Sequence, residues 1–235
     1  MKTILLATAA LGLTGAAVAQ DYSYSGDNGV DNWGGICATG TQQSPIDLHG
    51  SFEAEGVMPA IAWGADESVE LTRNSLNFTA NTDAGALILN GTRYDLIQFH
   101  FHSMSEHTVD GEAYPLEVHF VHASADGNLA VVGVFYEEGA ENAELAALWN
   151  AIPAQGETGN VGGSLDLTNF LPASMDGFRY SGSLTTPPCS EVVDWTVLSE
   201  PLEASSAQIE AYRGLFGDTA RPTLPHNRRF VLESD

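Results

Sequence analysis

Residues 94–102, YDLIQFHFH, alternate, and this constrains the fold more than any other stretch of the chain. A period of two sets Asp95, Ile97, Phe99 and Phe101 on one face and Tyr94, Leu96, Gln98, His100 and His102 on the other, the signature of a β-strand. The first face reads as mostly core, the second as mixed. Residues 114–122 repeat the arrangement, with Leu116, Val118, Phe120 and His122 opposite Glu117, His119 and Val121. Residues 129–136 and 192–198 read as further apolar strands. Helical spacing is confined to 140–151, through Leu145, Leu148 and Trp149, and to 205–216, through Ile209, Tyr212 and Phe216. The expected class is mainly β, an α+β domain with few short helices. No internal repeat or long linker divides the chain, so 20–235 reads as a single domain.

The N-terminus is different in kind. One lysine, an apolar run over 4–18 and Ala17-Val18-Ala19 make a secretory signal over 1–19, with cleavage after Ala19. The run is shorter than the ~20 apolar residues a spanning helix needs, and no later segment is a candidate membrane span. The destination is periplasmic or secreted. Export carries the only two cysteines, Cys37 and Cys189, into an oxidising compartment where pairing is expected.

Charge narrows the partners. The chain carries 31 acidic and 8 basic residues, a formal net charge of -23. Lys2 is the only lysine and 1–19 hold no acid, so arginine supplies every remaining cation. Such a surface repels phosphates, which excludes nucleic acid and anionic membranes as partners. Adaptation to high salt is one reading of this acidity, a plainly solvated surface the other. A homodimer is left open.

Within a strand, His100 and His102 point the same way about 7 Å apart, spacing that suits two ligands of one ion. A third imidazole must come from elsewhere. His119 is the best candidate, because it lies centrally in a strand reached through the turn at Asp110-Gly111. Gln98 and Glu117 each stand two residues before one of these histidines, where an acceptor fixes the imidazole's tautomer and direction. His107 follows the strand's end and His122 has the opposite parity to His119, so both read as structural. Three imidazoles without cysteine or carboxylate indicate Zn²⁺ with an open fourth position, the form of a catalytic site. A cupin-type metal site is the rival, since His100-x-His102-x3-Glu106 has that spacing, although no second cupin motif follows.

Several separated stretches resemble one family. QFHFH at 98–102, SEHTVD at 105–110, EVHFVH at 117–122, LAVVG at 129–133 and above all YSGSLTTPPC at 180–189 are similar to the α-class carbonic anhydrases, as are QSPI at 43–46 and RPTLPHNR at 221–228. The resemblance implies a large twisted, mostly antiparallel central sheet. It implies zinc-dependent, reversible hydration of CO2 to bicarbonate through a zinc-bound hydroxide, by a carbonate dehydratase whose substrate is a small molecule. It gives the zinc to His100, His102 and His119. Thr185 would accept from the hydroxide while donating to Glu106, leaving only a lone pair to present. Val121, Val131, Leu184, Val193 and Trp195 would form the CO2 pocket, Thr186 would contact bicarbonate, and Tyr24 would join the solvent network. Tyr180 and His107 would support the ligands from behind. The resemblance also implies a Cys37–Cys189 bridge that pins the Thr185 loop. A catalytically inactive binding module of the same family is the remaining alternative, and it normally lacks zinc histidines.

One departure stands out. Fast members of the family carry a proton-shuttling histidine about 30 residues before the His-x-His pair, whereas this chain has TRNSLN at 72–77. No histidine lies near Ser75. His49 and His226 read as surface residues without that role.

Overall fold

The computed structural model describes residues 21–234, so the signal reading of 1–19 lies outside the described residues. A twelve-stranded sheet forms the body. Its middle follows the order Phe78–Asn81, Thr92–His102, Leu116–Ser124, Leu129–Glu138, Val193–Ala204 and Gly177–Gly182. Neighbours run antiparallel except Leu129–Glu138 beside Val193–Ala204, and Leu232–Ser234 beside Phe52–Glu53 at one margin, which run parallel. The mainly β expectation holds in this single sheet, and cupins, which are double-sheet jelly rolls, are excluded.

Both faces of Leu116–Ser124 and of most of Leu129–Glu138 are covered, which is why these two strands are buried almost throughout. One face packs Val118, Phe120, Val132 and Val134 with Phe78, Phe99, Phe101 and Phe170. Helices Ala143–Ala151 and Ser206–Phe216 lie over this face through Leu145, Leu148 and Tyr212. Each starts three residues or one residue later than its spacing suggests, because Asn142 and Ser205 serve as caps. Asn142 Oδ1 accepts from the N–H groups of Glu144 and Leu145, and Ser205 forms a capping box with Gln208. The opposite face holds Val121, Val131, Phe135, Val193 and Trp195.

The strand Thr92–His102 corrects the simple alternation. Asp95 is exposed and Ile97 is 46% exposed, while Tyr94 and Leu96 are buried with Phe99 and Phe101. The cause is a β-bulge: His122 pairs with Leu96 and Val121 with Gln98, leaving Ile97 as an extra residue. The bulge falls where the strand changes its other neighbour, from Gly85–Leu89 to Phe78–Asn81. Gln98, His100 and His102 beyond it keep the shared face expected of them.

Candidate metal centre

His119 stands directly opposite His100 in the antiparallel pair, and Glu117 directly opposite His102. Cross-strand partners and i, i+2 neighbours are the closest same-face positions a sheet provides. Two strands therefore gather His100, His102 and His119 on one patch, each offering a ring nitrogen within 4.8 Å of the others. The turn that returns the chain contains Asp110 and Gly111, with φ of 49° and 83°, the left-handed pair a tight hairpin demands.

The remaining nitrogen of each ring is committed. His100 Nδ1 donates to Gln98 Oε1 at 2.9 Å, His102 Nδ1 to the Thr219 carbonyl at 2.7 Å, and His119 Nε2 to Glu117 Oε1 at 2.9 Å. Donation to these acceptors fixes the tautomers and leaves lone pairs on His100 Nε2, His102 Nε2 and His119 Nδ1. Burial, with the neighbouring His102 and His119, pulls His100 well below its ordinary pKa, and burial lowers His102 too. His119 is also penalised by burial, but the Glu117 carboxylate raises it overall.

The residues fit a cation. His102 Nε2 is buried without a hydrogen-bond partner, 3.4 Å from Glu106 Oε2, which is likewise unpartnered, and His119 Nδ1 lies 3.8 Å from that same oxygen. Two nitrogen lone pairs facing a carboxylate oxygen in a dry site repel one another, and a positive ion among them removes the conflict. Three imidazoles suit zinc.

Glu117 holds the site from behind. Its Oε1 accepts from His107 Nδ1 at 2.7 Å as well as from His119, and its Oε2 accepts the backbone N–H groups of Glu106 and His107 at 2.8 and 2.9 Å. Burial alone would raise its pKa, yet His107, His119 and these donors hold it well below the usual carboxylate range. His107 Nε2 in turn meets the Tyr180 hydroxyl at 2.7 Å, and that hydroxyl lies 2.9 Å from Ser44 Oγ. His107 thus sits fully buried behind the imidazoles rather than among them.

Thr185 is buried, on the segment after Gly177–Gly182, with Thr186 half-exposed beside it. No hydrogen bond joins Thr185 to Glu106 among the described residues: Glu106 Oε1 accepts from the Arg221 backbone N–H at 3.0 Å and Oε2 stays unpaired. The Cys37–Cys189 disulfide forms, with the Cα atoms 5.0 Å apart. Cys189 N–H donates to the Thr186 carbonyl at 2.9 Å, which ties the bridge directly to the threonines. Val121, Val131, Val193 and Trp195 form one apolar cluster with Leu184 packed against it, and the Trp195 ring lies 4.8 Å from that of His119. Tyr24 belongs to a separate cluster with Tyr22, Trp33 and the disulfide, where burial and then Glu106 push its pKa well above ordinary.

Ser75 is exposed in a turn closed by Asn74 N–H donating to the Asn77 carbonyl at 3.0 Å, and the segment carries no titrating group near neutral pH. His122 is a structural histidine: its Nε2 accepts from Trp63 Nε1 at 3.0 Å and its Nδ1 donates to the Phe120 carbonyl at 3.0 Å. The rings of His49 and His226 lie tilted against each other, centroids 4.6 Å apart, near Asp47.

Two supports escaped the sequence. Thr219 acts through its carbonyl, which any residue possesses, so no side-chain pattern marks it. Arg221 sits in a quoted motif without an assigned role. Its backbone N–H holds Glu106, and its guanidinium donates to the carbonyls of Cys37 and Ser44 and to Gln43 Oε1.

Known proteins agree with this architecture. The family described as eukaryotic-type carbonic anhydrase matches residues 28–234. A carbonic anhydrase of Klebsiella pneumoniae is 40% identical, over 99% of this chain and 100% of its own length. Among solved structures, the α-carbonic anhydrase of Photobacterium profundum superposes with a TM-score of 0.86 at 41% identity, covering 91% of this chain and 100% of that one. The Thermovibrio ammonificans α-carbonic anhydrase, solved with the inhibitor sulfanilamide, gives 0.87 at 39% identity, covering 91% and 99%. With this fold, this coverage and the histidine patch together, the chain belongs to the α-carbonic anhydrase family and is an enzyme that interconverts CO2 and bicarbonate.

Proposed function

We propose that the resident cofactor is Zn²⁺, held by His100 Nε2, His102 Nε2 and His119 Nδ1. The observation that carries this is the three lone pairs directed inward by Gln98, Thr219 and Glu117. Zinc held by three imidazoles supplies hydroxide near neutral pH, its bound water being known in this family to ionise at about 7. Neutral imidazoles leave the ion's full charge available for that effect.

The surrounding side chains decide what that chemistry acts on. In the loaded site Thr185 would donate its proton to Glu106 Oε2, a buried acceptor that lacks a donor in this structure, and so would present only a lone pair to the nucleophile. Glu106 stays fixed because the Arg221 N–H holds its other oxygen. Val121, Val131, Leu184, Val193 and Trp195 offer CO2 an apolar wall without competing donors, and Thr186 offers the bicarbonate product a hydroxyl. Tyr24 orders solvent at the mouth. Residues 1–19 direct export to the periplasm or medium, a reading supported by the disulfide.

Stopped-flow CO2 hydration with and without a strong chelator, alongside zinc analysis, tests the assignment. One zinc per chain, lost together with activity in His100→Ala, His102→Ala and His119→Ala, is the expected result. Full activity in a metal-free His119→Ala protein would refute it.

A further inference from the structure

Arginine distribution points to a second site, away from the histidines. The described residues contain no lysine and seven arginines. Arg93 and Arg213 are neutralised by Asp95 and Asp218 at 2.7 and 2.9 Å. Three others, Arg179, Arg228 and Arg229, line a single groove of about 550 Å³, and only one carboxylate, Asp194, lines it with them.

These three charges are poorly compensated. Arg179 donates from Nη1 to the Val57 carbonyl at 2.8 Å, its Nη2 reaches Asp194 Oδ1 only at 3.8 Å, and its Nε is buried without an acceptor. Arg229 spends its donors on the carbonyls of His226, Ser181 and Pro225 and lies over the Tyr180 ring at 5.5 Å. Glu191 also acts on Arg229, but its Oε1 already accepts from the Gln42 N–H and Gln43 Nε2. Carbonyls and a ring satisfy hydrogen bonds and orientation, not a formal charge. Arg228 is exposed and has no hydrogen bond or ion pair among the described residues. A chain with 31 acids sets only Asp194 and Glu191 against these three positions among the described residues.

We propose that this groove binds a small organic dianion, a dicarboxylate or a phosphate ester, with its charged groups on the arginines and its carbon skeleton against Phe230. Guanidinium forks match carboxylate and phosphate oxygens in pairs. Phe230, 69% exposed at the groove's edge, supplies the apolar face. The volume falls in the range of roughly 300–1,000 Å³ typical of metabolite sites. Nothing in this depends on the metal centre, whose imidazoles lie elsewhere.

Isothermal titration at constant ionic strength, balanced with NaCl, tests the site with succinate, inorganic phosphate and acetate as probes. The protein is used whole, in wild-type form and as Arg228→Gln, a substitution at an exposed side chain that leaves Tm and CO2 hydration unchanged. One equivalent of succinate or phosphate is expected to bind, with acetate weaker by about tenfold and Arg228→Gln weakening the dianion by about tenfold. Succinate binding alone assigns the dicarboxylate class, and phosphate binding alone the phosphate class. Equal affinity for acetate and both dianions, heats no larger than the NaCl balance, or unchanged binding in Arg228→Gln would each overturn the proposal.

Discussion

His119 gives its Nε2–H to Glu117 across 2.9 Å, and the same carboxylate oxygen takes the Nδ1–H of His107 across 2.7 Å. One buried anion therefore aims an imidazole at His100 and His102 and holds the segment that carries Glu106. Glu117→Gln should be costly on both counts, since an amide NH2 would face the donors that Oε1 or Oε2 now accepts. Metal affinity is expected to drop by about 10–100-fold. Chelator competition reads this directly, and CO2 hydration measured at saturating zinc should recover only in part.

Acid stability should expose His122. Its Nε2 accepts from Trp63, so protonation would set two donors against each other, and burial lowers its pKa from 6.5 to about 4. The unfolded chain then binds a proton that the folded one refuses. Stability contributed by neutral His122 is complete above 6.5 and is lost as pH falls toward 4, by about 3 kcal/mol in all. Urea unfolding across that window should show the slope, and an NMR titration of His122 should place its midpoint well below 6. A midpoint near 6.5 would remove the effect.

Proton export should limit turnover. Ser75 and its neighbours carry nothing that titrates near neutrality, whereas a shuttle needs a pKa close to the working pH. At saturating CO2 the rate is expected to climb with imidazole concentration, and placing a histidine by Ser75→His should reduce that dependence. A rate indifferent to buffer would mean that another relay operates.

The disulfide should matter for rate before it matters for folding. Cys189 is bonded through its N–H to the Thr186 carbonyl, and its own carbonyl accepts from Gln43 Nε2, so reduction frees the threonine segment while the sheet remains paired. Reduced enzyme should lose CO2 hydration at denaturant concentrations where circular dichroism is unchanged. Loss that follows unfolding point for point would contradict this.

Salt should raise Tm. The surplus of carboxylates repels itself, and the screening length shrinks from about 10 Å at 0.1 M to about 3 Å at 1 M. A Tm that falls steadily between these concentrations would dismiss high-salt adaptation.

What could be read in advance was whatever side chains announce by periodicity. Strand character around the histidines, the hairpin at Asp110-Gly111, the two longer helices and the patch of three imidazoles all follow from alternation, turn chemistry and spacing. The inward parity of His100 and His102 held because both lie on the same side of Ile97. The mostly-core reading of one face fails at Asp95 and Ile97 because a bulge is set by how a strand meets two neighbours, which one segment's pattern does not contain. Thr219 and the backbone of Arg221 were hidden for a related reason: they contribute groups that every residue carries. The expected Thr185 to Glu106 bond is not formed, and the acceptor it would use is the oxygen facing the imidazoles.

The extra residue at Ile97 also makes the strand intolerant of tidying. Drawing it into the ladder as an ordinary residue would force a choice: either Tyr94 and Leu96 turn outward into water, or Gln98, His100 and His102 turn into the phenylalanine core. The irregularity is what lets a single strand serve as hydrophobic wall in its first half and as imidazole shelf in its second.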